Sequence, residues 1–210
     1  MQKTTTVPLR ERNRLDTWAL IHDKASALAL EEGLTKTTVE AIADAAGISK
    51  RTFFNYFATK EDAIMGTQPP TLSDEAVAAF RADGEDDLFG RTVRLMITVI
   101  RTMFPEASQQ ARRKALKAKY PELGRTVLQH VNASELLVES ILEDRYNDAD
   151  VVMDRASIPG GQEGAKALLM LAGTAVRFVF SRDPAAVSSG ASKTVDESIK
   201  IFREAIKATL

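Results

Sequence analysis

Residues 37–64 read TTVEAIADAAGISKRTFFNYFATKEDAI, and the spacing of caps, glycine and apolar positions in this stretch decides the fold. Thr37 and Glu40 stand at the S/T-x-x-E spacing of a capping box, which opens a helix by satisfying its first free N–H groups. Val39, Ile42, Ala43 and Ala46 supply one apolar face at helical spacing. Gly47 ends the helix, because a left-handed residue there is cheap only for glycine. Ser49 stands where it caps a third helix over 50–57. Thr59 caps a fourth, with Glu61 and Asp62 in its first turn, where carboxylates suit the helix dipole. Ile48, Phe53 and Phe57 face inward. Lys50, Arg51, Thr52, Asn55 and Tyr56 face outward, a set of donors and one stacking ring of the kind that reads base edges and phosphates in a major groove.

Upstream, Trp18, Ile21, Ala25 and Leu28 form one stripe on a helix predicted over 10–32, stopped by Gly33. Three helices with a tight Ala46-Gly47-Ile48 turn between the second and third make a helix-turn-helix. Downstream, helical spacing continues over 73–82, 88–104, 108–119, 121–146, 164–182 and 194–210. Pro69-Pro70, Pro105, Pro121 and Asp183-Pro184 punctuate it. No stretch alternates apolar and polar residues like a strand. The expected fold is all-α.

The same stretch closely resembles the DNA-binding signature of the TetR family of regulators. It has the Thr-Val start, the Ile-Ala pair, Ala-Gly-Ile-Ser, an aromatic-rich third helix and a Lys-Glu pair opening the fourth. The resemblance implies an N-terminal three-helix helix-turn-helix head over 1–58 and a C-terminal helical effector-binding and dimerisation body over 59–210. It implies that Thr38 contacts a phosphate, as a helix N-terminus favours. Ser49, Lys50, Arg51, Thr52 and Asn55 become base or phosphate contacts, Tyr56 a backbone contact and Lys60 a phosphate clamp. Two positions depart from the family. Phe54 stands where tyrosine is frequent, so a hydroxyl is lost. Arg51 replaces a small residue and adds a forked donor.

The body holds methionine and aromatic side chains that adapt to varied ligand shapes. Taken singly, most of these side chains read as plain hydrophobic core; family resemblance implies that several line an effector pocket, with Met96, Ile100, Met103, Phe104, Tyr120, Val127, Met170 and Phe178 as its candidate lining. The helix over 164–182 is apolar nearly all round, which a monomer's surface helix does not tolerate. With the last helix it is expected to form a two-fold dimer interface through Leu168, Leu169, Ala172, Val176, Ile199 and Phe202; the alternative is that both helices only complete the monomer core.

Composition narrows the alternatives. The 210 residues carry a formal net charge of −1, which argues against a general polyanion binder. Residues 1–60 hold nine Lys/Arg against seven Asp/Glu, so the front is mildly basic and the rest mildly acidic. There is no cysteine, which removes disulfides and thiolate metal sites. His22 and His130 have no partner cluster and read as packing residues rather than metal ligands. Asp144, Asp148, Asp150 and Asp154 do not fit a calcium-loop spacing, and Gly160-Gly161 lacks the lysine of a phosphate-binding loop. Arg112, Arg113, Lys114, Lys117 and Lys119 read as a solvated basic face able to hold an acidic effector. Lys3, Arg10, Arg12 and Arg14 form either an arm that touches phosphates or a minor groove or a solvated tail. No nucleophile–base pair is visible, so no enzyme and no cofactor is expected.

The first fourteen residues lack the apolar core of a signal peptide, and no apolar run reaches the ~20 residues of a membrane span. A cytoplasmic location is expected. The implied partners are a double-stranded DNA operator, a small-molecule effector of unknown identity and a second copy of the chain. The resulting reading is a repressor released by its effector. The alternative is a helix-turn-helix dimer that regulates without a small ligand.

Overall fold

Residues 9–82, 87–105, 109–147, 161–183 and 192–208 are described by a computed structural model, and all regular structure among them is α-helical. The helices are α1 (Leu9–Glu31), α2 (Val39–Ala46), α3 (Lys50–Phe54), α4 (Lys60–Met65), α5 (Asp74–Arg81), α6 (Leu88–Thr102), α7 (Gln110–Lys119), α8 (Leu123–Asn147), α9 (Gly161–Arg182) and α10 (Ser192–Ala208). Lys3 of the basic arm, the acidic Asp148, Asp150 and Asp154, and Gly160 lie outside the described residues. Two compact units divide the chain: Met1–Gln68 with Ser108–Val127, and Pro69–Ala107 with Leu128–Leu210. The first unit therefore takes in α4 and α7, which a boundary after residue 58 assigns to the body.

In the first unit the α1 stripe is buried as its spacing requires. Trp18, Ile21, Ala25 and Ala29 join Ile42 of α2, Phe53 and Phe57 around α3, and Ile64 and Met65 of α4. The Trp18 ring lies 5.2 Å from Phe57, which lies 6.0 Å from Phe53. Leu116 of α7 and Leu123 of α8 complete this core. Burial of each Ile, Leu, Met or Phe side chain among these contributes about 1.5–3 kcal/mol, and this holds α2, α3 and α4, all too short to be stable alone.

The basic stretch on α7 is only partly a solvated face. Arg113 is buried, and its guanidinium donates to Met65 O at 2.9 Å and Gly66 O at 3.3 Å. Arg112 pairs with Asp23 at 2.6 Å and donates to Ser26. Lys119 and Tyr120 donate to the carbonyls of Leu30 and Ala29. Arg113, Lys119 and Tyr120 thus satisfy carbonyls at the ends of α4 and α1, positions that lack intrahelical donors. Lys114 and Lys117 remain exposed.

Gly66, not Pro69-Pro70, ends α4. It adopts φ 59°, and its N–H and that of Thr67 return to Ala63 O and Asp62 O. His22 packs on it, fully buried, with Nδ1 donating to Ala63 O at 2.8 Å. That leaves Nε2 unprotonated, and it has no hydrogen-bond partner among the described residues. Burial pushes the imidazole pKa down to about 4, the Ala63 carbonyl opposes this, and the Arg113 and Arg112 charges add to the lowering. An unfolded chain takes up a proton near pH 6.5 while the native one does not, so stability falls as pH drops from about 6.5 to about 4. At pH 5 the loss from this group is about 2 kcal/mol. Denaturant titrations of the wild type and His22→Gln between pH 7 and pH 5 check it: the wild type should lose more stability than the variant.

In the second unit α6 packs against α9, and α10 against both. Val93, Met96, Val99, Ile100 and Met103 are buried, as are Ala172, Val176, Val179, Val195 and Ile199. Arg203 grips Asp87, the N-cap of α6, through two bonds of 2.7 and 2.9 Å. Burial raises the Asp87 pKa, but Arg203 and the Gly90 N–H more than offset it, so the carboxyl titrates below its usual range. The 22-residue α9 is long and apolar enough by composition to cross a membrane, contrary to the expectation of no such run. It is amphipathic here: Lys166, Met170, Thr174, Arg177 and Ser181 line its exposed side.

That face corrects the expected interface. Ala172, Val176 and Ile199 are buried inside the protomer and are not available to a partner. Leu168, Leu169 and Phe202 are half-buried, and Phe202 sits between Phe89 and Phe178 with ring centroids 6.2 and 5.7 Å away. An apolar helix shows no preferred stripe in sequence, so which side faces its own core is a packing outcome.

The candidate pocket residues fall in both units. Met96, Ile100 and Met103 are buried in the second unit, with Phe104 half-buried. Tyr120 and Val127 pack against the core of the first unit. Met170 is 73% exposed. Helical periodicity identifies apolar positions but does not say which unit receives them.

Candidate nucleic-acid interface

Caps chosen by the chain set the geometry of α2 and α3. Thr38, rather than Thr37, is the N-cap of α2, its hydroxyl accepting from Ala41 N at 3.1 Å. Thr37 is buried and donates back to Gly33 O. The expected capping box therefore shifts by one residue, and Glu40 is released from it. Gly47 takes the left-handed conformation at φ 66°, its N–H returning to the end of α2. Ser49 caps α3, accepting from Thr52 N at 3.0 Å, and the two hydroxyls also bond each other at 2.9 Å.

Helix α3 is shorter than predicted. It ends at Phe54, with Asn55 as C-cap, so Asn55 and Tyr56 lie just beyond it. Burial of Phe53 and Phe57 against Trp18 pulls the chain into a turn before α4 begins. Lys50, Arg51 and Asn55 are exposed, and Thr52 and Tyr56 are half-buried. Neither Arg51 nor Asn55 makes a side-chain hydrogen bond or ion pair among the described residues, so their donors are open to a ligand. Tyr56 packs partly on the first unit's core.

Two lysines are already engaged. Lys60 donates to Leu34 O at 2.9 Å, tying the start of α4 to the loop after α1. Its expected role as a phosphate clamp therefore shares the ammonium with a backbone carbonyl. Lys50 forms an ion pair with Glu40 across the helix-turn-helix. Lys50 and the Glu40 backbone lower the Glu40 pKa. Sequence reasoning missed Glu40 because it assigned that residue to the capping box.

The arrangement offers a forked cation, an amide, hydroxyls and one lysine restrained by a carboxylate, all beside a helix N-terminus. Such a surface can bond phosphate oxygens and base edges. Glu40→Gln is expected to release Lys50. Affinity for any duplex should then rise about threefold at low salt, and the salt dependence should steepen by up to about one unit. Anisotropy titrations across salt measure both; an unchanged slope shows that Lys50 stays with residue 40 in the complex.

The chain is similar to known proteins chiefly through its N-terminal segment. Residues 21–62 match the family described as "Bacterial regulatory proteins, tetR family". The HTH-type transcriptional regulator TcmR of Streptomyces glaucescens is 39% identical over 83 residues, which span 38% of this chain and 36% of that protein. The solved structure of Salmonella enterica GusR aligns over 92% of this chain and 96% of its own, with a TM-score of 0.42 and 18% identity.

Proposed function

We propose that this chain, whose residues 21–62 form a TetR-family helix-turn-helix segment, is a sequence-specific transcriptional regulator of double-stranded DNA. It acts in the cytoplasm as a homodimer and as a repressor released by a small molecule. The observation that carries the DNA reading is the exposed Arg51 and Asn55 on a recognition element anchored from beneath by Phe53. Dimerisation follows from the need of two recognition helices to address successive major-groove faces about 34–36 Å apart. Met170 of α9 and Ile201 and Ile206 of α10 are exposed apolar side chains suited to a partner. The buried Met96 of α6 and Met103 at its C-cap are surfaces that an apolar effector could reshape.

Selection of bound duplexes from a random-sequence library tests the reading. The expected result is a two-fold symmetric site, and recovery of no enriched sequence overturns it. On the selected site Arg51→Ala should cost about 1–3 kcal/mol and relax preference at one position per half-site. Sedimentation should give a dimer at micromolar concentration. The effector should raise the melting temperature and weaken DNA binding, and DNA should weaken effector binding by the same factor. The 73% exposure of Met170, one of the candidate lining residues, favours a second reading, a dimeric regulator with no small ligand. That reading expects no ligand-dependent melting shift.

A further inference from the structure

We infer that Phe54 is a specificity-determining residue that reads the C5-methyl group of thymine in the major groove. The inference rests on the DNA-binding reading of α3 and deepens it. Phe54 is 56% exposed, a large apolar ring on a surface otherwise made of donors. On a helix it lies one turn beyond Lys50 and three residues beyond Arg51, so the three share one face. Its ring meets Phe53 edge-to-face, at 5.4 Å and 89°. Phe53 is fully buried and held by Phe57. The exposed ring therefore stands on a rigid base, and little of its freedom remains to be lost on binding.

The occupant follows from the chemistry of the groove. Arg51, whose guanidinium makes no hydrogen bond or ion pair among the described residues, flanks the ring with positive charge, which directs it toward a polyanion. Along the base edges of B-DNA the major groove offers one apolar group, the methyl of thymine. Cytosine carries the same group only when methylated at C5. Phenylalanine has no hydroxyl to place on a phosphate, so its contribution on this face is apolar contact. Burying one methyl group against the ring corresponds to a factor of roughly four to ten in affinity.

The test uses the full-length chain and duplexes chosen from a random-sequence library. In each selected half-site, thymines are replaced one at a time by deoxyuridine, which removes only the methyl. The wild type should lose roughly four- to tenfold affinity at one thymine per half-site, and 5-methylcytosine paired with guanine there should retain more affinity than cytosine. Phe54→Ala should bind thymine and uracil duplexes equally, while Phe54→Leu should retain part of the discrimination. Because the side chain is exposed, both variants should keep the wild-type melting temperature. If wild-type affinity is indifferent to the methyl at every position, the inference is overturned while the DNA-binding reading stands. If Phe54→Ala weakens thymine and uracil duplexes by the same factor, the ring packs on the sugar-phosphate backbone and the inference is again overturned. Failure to enrich any sequence overturns the DNA-binding reading itself.

Discussion

Replacing Gly66 by alanine is expected to destabilise the first compact unit by about 2–5 kcal/mol. The left-handed conformation at φ 59° costs an L-residue about 1–2 kcal/mol. The added Cβ would also lie 2.7 Å from two atoms of the His22 ring. That ring cannot move aside easily, because its Nδ1 is bonded to Ala63 O and Trp18 packs beside it at 5.5 Å. Overpacking of this kind adds about 1–3 kcal/mol. Urea unfolding measures the total, and a double-mutant cycle separates its parts. In a His22→Ala background the same glycine substitution should cost only the conformational part. An equal cost in both backgrounds would show that the ring does not meet residue 66 in solution.

Phe53→Ala is expected to cost about 3–5 kcal/mol and to abolish sequence-specific DNA binding even where the rest of the fold survives. Phe53 is 0% exposed and contacts the rings of both Phe54 and Phe57. A five-residue helix has no stability of its own, so α3 exists because this side chain anchors it. Removing the ring leaves a cavity beneath the face that carries Lys50 and Arg51, and the face loses its fixed orientation. Circular dichroism and urea unfolding report the stability loss. Binding to the selected duplex should fall further than the unfolded fraction accounts for. A decrease equal to that fraction would mean that Phe53 acts on stability alone.

These substitutions act where local sequence and tertiary packing meet. Gly47, Ser49 and Thr59 were legible in the sequence, because a left-handed turn and two N-caps depend on residues within three or four positions. The apolar face of α1 was legible too, since it repeats at helical spacing. Gly66 was not: Pro69-Pro70 offered a stronger stop, whereas the observed end of α4 also depends on His22 of α1. The candidate contact Lys50 was readable by type, yet its restraint by Glu40 required the turn to bring residues ten apart together. Phe54 was readable as a departure from a family pattern, but only its exposure and the fixed Phe53 beneath it give that departure a role.

The sequence by itself determined the all-α class, nearly every helix to within a few residues, and the helix-turn-helix, because caps, breakers and a 3.6-residue period are local properties. Only the tertiary structure decided which apolar residues were spent on the protomer's own core. Ala172, Val176 and Ile199 went inward, Met170 outward, and Tyr120 and Val127 to the first unit. It also decided that Arg113 would close the end of α4 rather than face solvent. Burial depends on residues distant along the chain, and neither periodicity nor charge pattern encodes which of several apolar or basic faces finds that partner.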